Sequence, residues 1–281
     1  MMRAVRSDPP APAQKGLKDT LKEQKYFLAC CCNPEGDFEA TSEAPELLRV
    51  PARVLSVDKL SRKIARVRLD YAQPFDYRPG QFLNLYRNDG LIRSYSIASV
   101  PQVESYIELH VQRNEGGRMS AWIHDELKAG DALHVSMPIG ECYYRTGASE
   151  QPIMLVGTGS GLAPLYGVIR DALRSKHGGP IYLFHGSRTR DGLYLLDELR
   201  DLARDYKNFH YVPCLSGEPD LDGYITARAH DAALQQHPDL KNWRVFLCGH
   251  PDMVKAAKMK AFLAGANLKD IHADAFVSSH S

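Results

Sequence analysis

Residues 152–164 read Pro152-Ile-Met-Leu-Val-Gly157-Thr158-Gly159-Ser160-Gly161-Leu-Ala-Pro164. The apolar residues after Pro152 predict a buried strand, the glycines a tight turn, and the residues beyond them a helix. In that order of elements, backbone N–H groups can approach a nucleotide phosphate, and the helix dipole favours its negative charge. The stretch therefore predicts a nucleotide site in an α/β domain.

Three better-known glycine motifs do not fit this loop. A Walker loop requires Gly-Lys-Ser/Thr, which is absent, and the usual G-x-G-x-x-G fails at Leu162. A hydrolase nucleophile elbow around Ser160 would need glycines at 158 and 162, where Thr158 and Leu162 stand. A glycine turn that serves chain reversal alone remains the other interpretation.

After Pro152, apolar strands alternate with helical stretches, which predicts a parallel sheet covered by helices. The predicted strands are Ile153–Val156, Ile181–His185, Phe209–Pro213, Arg244–Cys248 and Ile271–Phe276, with helices that begin near Leu162, Leu195, Ile225 and Asp252. Ligands of such sheets bind beyond the carboxyl ends of the strands. The loops after these strands are therefore the expected site of chemistry.

The preceding part of the chain has the pattern of an antiparallel β-barrel, because short strands follow one another with turn residues between them. These strands are Arg49–Val57, Lys63–Leu69, Gln81–Tyr86, Ile92–Ala98, Tyr106–Gln112 and Ala132–Ser136, with one helix over Arg118–Leu127. An acidic stretch, Glu43–Glu46, is typical of a linker. We therefore expect an N-terminal segment over 1–46, the barrel over 47–148 and the α/β domain over 149–281.

Charge and composition exclude several classes of protein. The 281 residues include 35 Lys and Arg against 34 Asp and Glu, so no net field favours nucleic acid or anionic lipid. No apolar run approaches the roughly 18 residues of a membrane span, and the N-terminus lacks a signal-peptide pattern. Six scattered cysteines predict reduced thiols and no disulfide framework. These features predict a cytoplasmic protein without nucleic-acid or membrane partners.

The glycine loop, together with three further motifs, resembles the ferredoxin-NADP reductase superfamily, whose FAD-binding barrel precedes its nucleotide domain. Its nucleotide loop reads Gly-Thr-Gly-x-Gly-x-Ala-Pro, and its flavin boxes read R-x-Y-S/T and G-G-x-x-S. The corresponding residues here are Arg93-Ser94-Tyr95-Ser96, Gly116-Gly117-Arg118-Met119-Ser120 and, on the nicotinamide side, Cys248-Gly249-His250-Pro251. The resemblance covers roughly residues 47 to 281 and implies FAD and NAD(P)H as cofactors, with no metal.

The flavin roles that the resemblance implies are chemically reasonable. Arg93 would neutralise a flavin phosphate, and the backbone N–H groups of residues 116–120 would receive the pyrophosphate. Tyr95 would offer a flat face to the isoalloxazine, and the Ser96 hydroxyl would lie near the ring nitrogen that receives hydride. Were the box isolated, a packed tyrosine and a solvated arginine on a strand would be the simpler interpretation.

The nicotinamide-side roles also follow from the resemblance. The Cys248 thiol and Gly249 would lie beside the nicotinamide, the thiol positioning it without acting as a nucleophile, although a buried cysteine can also serve packing alone. Asp274, where many relatives have Glu, and Phe276 would lie near the flavin. The nucleotide is expected on Gly157, Thr158, Gly159, Ser160, Gly161 and Pro164. After the second α/β strand, Ser187, Arg188 and Arg190 could bind a 2′-phosphate, and the choice between NADH and NADPH stays open.

The N-terminal segment resembles the end of a plant-type ferredoxin domain. In Lys25-Tyr-Phe-Leu-Ala-Cys30-Cys31-Cys32-Asn-Pro34, Cys30 matches the fourth cluster ligand. A plant-type [2Fe–2S] cluster needs three further thiolates in C-x₄-C-x₂-C spacing upstream, which this sequence lacks, and neighbouring cysteines on a strand point to opposite faces. The expectation is a truncated ferredoxin domain without an intact cluster.

The function that the resemblance implies is hydride transfer from NAD(P)H to FAD, with electrons passing onward to a ferredoxin, an oxygenase or another redox acceptor. Ser96, Cys248 and Asp274 are the expected catalytic residues. Two alternatives remain open: a diaphorase-like flavin or ferric reductase acting on small acceptors, and a nucleotide-binding electron-transfer subunit without turnover. A hydrolase is disfavoured by the absent elbow.

Overall fold

A computed structural model describes residues 1–34, 36–42, 49–71, 76–218 and 221–277. The described chain forms three sheets: a small one from the N-terminal segment and two of six strands each. The predicted linker Glu43–Glu46 and the boundary after residue 46 lie outside the described residues. Among those residues, no helix combines the length and apolarity needed to cross a bilayer.

The N-terminal segment has its own small sheet, with strands in the order β2-β1-β3. Its elements are β1 (Met2–Ala4), α1 (Asp19–Glu23), β2 (Tyr26–Phe27) and β3 (Ala40–Thr41). Ala4, Ala13 and Phe27 form a minimal core beneath it. So few buried side chains contribute little stability, and the segment is further held by contacts with the rest of the chain.

The first large sheet is antiparallel, and its strands alternate between core-facing and outward-facing residues. The strands are β4 (Arg49–Lys59), β5 (Ile64–Tyr71), β6 (Phe82–Tyr86), β7 (Ile92–Ser96), β8 (Ile107–Gln112) and β9 (Ala132–Ser136). Their order is β7-β6-β9-β4-β5-β8, and a bridge from Ile97 to Leu109 joins the two edges into a barrel. One helix, α2 (Arg118–Asp125), places Met119 and Ile123 in the barrel core.

The second large sheet is parallel, with the order β13-β12-β11-β10-β14-β15. Its strands are β10 (Ile153–Thr158), β11 (Ile181–Ser187), β12 (Phe209–Leu215), β13 (Ile225–Thr226), β14 (Arg244–Gly249) and β15 (Ile271–Ala275). Its helices are α3 (Leu162–Arg174), α4 (Leu196–Asp205), α5 (Ala229–Gln236) and α6 (Pro251–Leu263). All residues of β14 are buried, as expected of a strand covered by helices on both faces. The predicted barrel followed by an α/β domain is confirmed.

One predicted element is wrong. Ile225 does not begin a helix: Ile225 and Thr226 form β13, which pairs in parallel with Cys214 and Leu215 at the sheet edge. The helix begins at Ala229. A β-branched pair suits an extended edge strand, and its pairing partner is too distant in sequence for a local pattern to show it.

Candidate functional site

The glycine loop lies at the carboxyl end of the central strand β10 and leads through a 3-10 turn, Gly159–Gly161, into α3. Gly159 has φ of +55°, a conformation that favours glycine. A Cβ on Gly161 would overlap the backbone carbonyl of Cys248 and lie 2.7 Å from the Gly249 Cα. The turn is therefore packed directly on the end of β14, where a side chain has no room.

Two further residues shape this loop. The Thr158 Oγ1 accepts a hydrogen bond from the His250 N–H at 3.2 Å, which ties the loop after β10 to the loop after β14. Pro164 is buried in the first turn of α3, where a backbone N–H would have no helical acceptor. Residues 157–161, Pro164 and Gly249 thus lie together at the carboxyl ends of β10 and β14.

The flavin-box residues of β7 occupy one strand of the barrel. Arg93 and Tyr95 alternate with Ser94, so both project from the same face, and both are half-buried. The Arg93 Nη1 donates to the Ile92 carbonyl at 2.7 Å, and Arg93 forms no ion pair with a carboxylate in the described chain. Burial raises the pKa of Tyr95, so its phenol stays neutral at physiological pH. A permanently charged guanidinium and an aromatic ring on one face of the strand have the chemistry to bind an anionic aromatic ligand.

The second flavin box surrounds the start of α2. Gly116 has φ of +68°, and Gly117 caps the helix. The Ser120 hydroxyl is used inside the turn, donating to the Gly117 carbonyl and accepting from the Asn114 N–H, while Met119 is buried in the core. What this box presents to a ligand is therefore its backbone N–H groups, since the first N–H groups of a helix have no intrahelical acceptor.

Arg118 connects the two flavin boxes. Its Nη2 donates to the Asp89 carboxylate at 3.0 Å, and Asp89, in the turn between β6 and β7, is also paired with Arg87. The hairpin that carries Arg93 is thereby joined to the start of α2. Arg118 itself is exposed and already paired.

The predicted catalytic residues come together where barrel and α/β domain meet. Cys248 at the end of β14 pairs in register with Asp274 on β15, and the Ser96 side chain of the barrel lies near the Asp274 carboxyl. Burial raises the pKa of Asp274, although the nearby Ser96 hydroxyl opposes the shift. Next along the chain, the Phe276 N–H donates to the Gly249 carbonyl at 2.9 Å, which fixes Phe276, half-buried, beside the same edge.

The Cys248 thiol is fully buried and lies 3.4 Å from the Cys142 thiol, which follows the last barrel strand. Burial raises the pKa of Cys248 well above its ordinary value, and the neighbouring thiol adds to the shift. This shift favours the neutral thiol, which suits a positioning role better than the role of an activated nucleophile. Cys142 is a part of this site that the sequence pattern does not reveal.

A cavity of about 250 Å³ opens beside this meeting point. Phe82, Cys142, Asp274 and, from the N-terminal segment, Lys18 line it. His272 also lines it and is buried without a hydrogen-bond partner for Nδ1, and burial lowers its pKa to about 3. A solvent-sized space thus adjoins the Asp274 carboxyl.

The two domains share a further contact that the sequence pattern does not single out. His110 of β8 is fully buried, and burial lowers its pKa, so we assign the imidazole as neutral. Its Nε2 donates to the Glu108 carboxylate, and its Nδ1 accepts from the Tyr194 hydroxyl. Gln112 of the same strand accepts a hydrogen bond from the Ser160 N–H of the glycine loop at 3.1 Å. One face of β8 is therefore the contact surface for the nucleotide domain.

The predicted 2′-phosphate residues lie one strand away from the glycine loop. Ser187 ends β11, and Arg188 and Arg190 follow in an exposed turn. Their backbones bond to the neighbouring loop: the Arg188 carbonyl accepts from Gly217, and the Arg190 N–H donates to the Glu218 carboxylate. The turn therefore leaves both guanidinium groups exposed to solvent beyond the carboxyl end of β11.

The N-terminal cysteines are not among the residues that line the cavity. Cys30 and Cys31 are exposed, with their sulfurs 3.8 Å apart, and Cys32 is half-buried. Within the described ranges, no group of three or more His, Cys, Asp or Glu residues is arranged to hold a metal ion. Helix α1 instead contacts the region after the barrel, where Arg145 pairs with Asp19 and Glu23.

Comparisons with known proteins agree with this architecture. Residues 51–144 match the family described as "Oxidoreductase FAD-binding domain", and residues 155–259 match "Oxidoreductase NAD-binding domain". The phenol hydroxylase P5 protein of Acinetobacter pittii is 32% identical over 275 residues, covering 94% of this chain and 78% of that protein. The reductase subunit of an aromatic O-demethylase from Amycolatopsis is 35% identical over 259 residues, covering 87% and 77%.

A solved structure shows the same arrangement. The Amycolatopsis cytochrome P450 reductase GcoB superposes with a TM-score of 0.76 at 30% identity, covering 96% of this chain and 85% of that one. The chain belongs to the ferredoxin reductase-like family of FAD- and NAD(P)-binding oxidoreductases. It is a flavin-dependent enzyme that transfers hydride from NAD(P)H to FAD and electrons onward to a redox acceptor.

Proposed function

We propose that this chain is the reductase component of a multicomponent oxygenase system, delivering electrons from NAD(P)H to a redox protein partner. Support comes from relatives named as reductase components of oxygenase systems, among them the "Naphthalene 1,2-dioxygenase system ferredoxin--NAD(P)(+), reductase component" of Pseudomonas putida. The observation that carries the proposal is the meeting of Ser96, Asp274 and Cys248 across the domain boundary. Domain boundaries after residues 46 and 148 are part of the proposal.

The residues present fit both cofactors. The close approach of Gly161 to β14 leaves a cradle of backbone N–H groups, which suits the pyrophosphate of NAD(P)H. Arg93, free of a carboxylate among the described residues, and the N–H groups at the start of α2 suit the pyrophosphate of FAD. Tyr95 and Phe276 would flank the flavin ring, since aromatic faces bind flat ring systems. Bound FAD would supply hydride acceptance and the release of single electrons.

The chain's own residues would align the reacting groups and control protons. The buried Cys248 thiol and Gly249 would hold the nicotinamide in position, because a neutral, polarisable sulfur packs closely without reacting. The raised pKa of Asp274 lets its carboxyl hold a proton over a wider pH range, and Ser96 Oγ would relay that proton. Ser187, Arg188 and Arg190 would decide between NADH and NADPH.

We further propose that residues 1–42 correspond to the last part of a plant-type ferredoxin fold, with Cys30 at the position of a cluster ligand. The antiparallel strands β1 to β3 and the exposed Cys30 support this proposal. Docking of α1 is supported by the Tyr143 hydroxyl, which donates to the Thr20 carbonyl at 2.8 Å, and by the Arg145 ion pairs. Iron and acid-labile sulfide near two per chain would show that the segment holds a cluster after all.

Steady-state assays with three acceptors test the proposed function. The FAD-loaded protein is supplied with NADH or NADPH, and reduction of ferricyanide, of a free flavin and of a plant-type ferredoxin is measured. Efficient reduction of the ferredoxin supports an oxygenase reductase. Reduction of the free flavin alone would instead indicate a small-acceptor diaphorase, and nucleotide binding without any turnover a non-catalytic subunit.

Paired variants locate the chemistry. Ser96→Ala and Cys248→Ala should slow flavin reduction about 10-fold or more while FAD stays bound. Ser94→Ala, on the same strand, and Cys214→Ala, buried in the same sheet, are the matched controls and should keep the wild-type rate. Equal rates in all four variants would remove Ser96 and Cys248 from the proposed site.

A further inference from the structure

On the barrel side, the side chain of Gln112 contacts the glycine loop. The Ser160 N–H donates to Gln112 Oε1 at 3.1 Å, and a Cβ on Gly159 would overlap that oxygen and lie 3.2 Å from Gln112 Cδ. The amide group therefore lies directly against Gly159. A residue larger than glycine at 159 would not permit this contact.

This contact occupies groups that a nucleotide phosphate would use. Helix α3 has no acidic residue in its first turn and no side-chain cap of its own. At this N-terminus the Gln112 oxygen is the side-chain acceptor within the described residues. An amide oxygen is a weaker acceptor than a phosphate oxygen, because it carries only a partial charge. A phosphate oxygen at this position would therefore replace the Gln112 Oε1 as the acceptor for the Ser160 N–H.

The backbone of Gln112 is held firmly while its side chain can turn away. Gln112 pairs with Ile64 in the antiparallel ladder between β8 and β5, and the next residue, Arg113, donates its N–H to the Lys63 carbonyl at 2.8 Å. Rotation about the side-chain bonds of Gln112 would free Ser160 without breaking the barrel. Glutamine has three such bonds and reorients readily when half-exposed.

We infer that Gln112 is an internal competitor for the phosphates of NAD(P)H, so that its release from Ser160 sets the affinity of the nucleotide domain for its substrate. The inference rests on the proposed nucleotide binding at this loop. A neutral hydrogen bond has a net strength that corresponds to about a 2- to 10-fold change in an equilibrium constant. Removing the competitor should tighten nucleotide binding by that factor.

Calorimetric titration with ADP-ribose tests this inference on the FAD-loaded full chain, since ADP-ribose carries the pyrophosphate but no nicotinamide. Gln112→Ala should bind ADP-ribose about 2- to 10-fold more tightly than wild type. Gln112→Glu keeps the acceptor, adds a negative charge beside the phosphates, and should bind about 10-fold more weakly. Gln102→Ala, at an exposed turn position, is the matched control and should bind as wild type does.

Kinetics provide the second measurement. With NAD(P)H as the varied substrate, KM should follow the ADP-ribose Kd in the same direction for both Gln112 variants, while kcat stays within about twofold, because the change acts on binding. Opposite shifts in two variants of one residue cannot result from partial unfolding. Unchanged or weaker ADP-ribose binding in Gln112→Ala would overturn the inference. Wild-type protein that binds no ADP-ribose would overturn the proposed nucleotide site, and the inference with it.

Discussion

Replacing Gly161 by alanine tests the close packing of the glycine loop on β14. The new Cβ would overlap the Cys248 carbonyl and lie 2.7 Å from the Gly249 Cα, whereas carbon atoms in contact are about 3.5–4.0 Å apart. Loop and strand would therefore have to separate by about 1 Å. The obstructing atoms all belong to the backbone of β14, which is hydrogen-bonded to β10 and β15, so no side-chain rotation can relieve the overlap.

The expected cost can be estimated from such overpacking. Extra methyl groups in a packed interior destabilise by about 1–3 kcal/mol, and a rigid backbone obstacle places this case near 3 kcal/mol. For a chain of this size the melting temperature should fall by about 6–12 °C. A displacement of about 1 Å at the phosphate cradle should also lower kcat/KM for NAD(P)H by about 100-fold, while the FAD content, held by the barrel, remains that of wild type.

Thermal denaturation and steady-state kinetics measure these effects, with Gly157→Ala as the control. A Cβ on Gly157 would meet the Leu165 Cδ1 at 2.7 Å, and this methyl group can rotate away. We therefore expect a smaller loss, about 1 kcal/mol or 2–4 °C. Gly161→Ala with the melting temperature and KM of wild type would refute the packing argument.

Three further predictions follow from buried titratable groups. Because burial raises the folded-state pKa of Asp274 above the unfolded-state pKa of 3.8, the stability that the protonated carboxyl contributes is lost as pH rises above 3.8. Asp274→Asn should remove this loss, measured as the melting temperature from about pH 4 to 8. Burial lowers the pKa of His185 and His272 to about 3, so each should lower the free energy of unfolding by about 1.4 kcal/mol per pH unit as pH falls below about 6.5. Denaturant unfolding over a pH series measures this dependence. His272→Gln with the full wild-type dependence on pH would contradict the prediction. The buried Cys248 should resist iodoacetamide in the native protein while the exposed N-terminal thiols react, and its rapid labelling, read by mass spectrometry, would contradict the assigned burial.

Local patterns were sufficient to predict most of the architecture, for physical reasons. The alternation in β5, where Val67 and Leu69 face the core and Arg66 and Arg68 face outward, is a period that only a strand satisfies. The glycines before Leu162 likewise indicate a turn, because the chain must pass the end of β14 without side chains. Features fixed by neighbours in sequence are therefore predictable.

Features fixed by distant parts of the chain were not. The interdomain role of β8 depends on Tyr194, which is 84 residues from His110, and on Ser160, which is 48 residues from Gln112. The sequence does show polar residues alternating at 108, 110 and 112 on a strand whose other face is apolar. That alternation indicates an outward face but cannot show what covers it. The role of Cys142 is unpredictable for the same reason, because its thiol contacts that of Cys248, which is 106 residues away in sequence.

The most direct measurement is anaerobic rapid mixing of the yellow, FAD-loaded protein with each reduced pyridine nucleotide while the blue absorbance of the flavin is followed. We predict that this absorbance bleaches within a single turnover with at least one nucleotide, and that the bleaching slows when the buried sulfur at the end of β14 is removed. A protein that binds the nucleotide yet keeps its colour would contradict the claim that the two domains bring nicotinamide and flavin together.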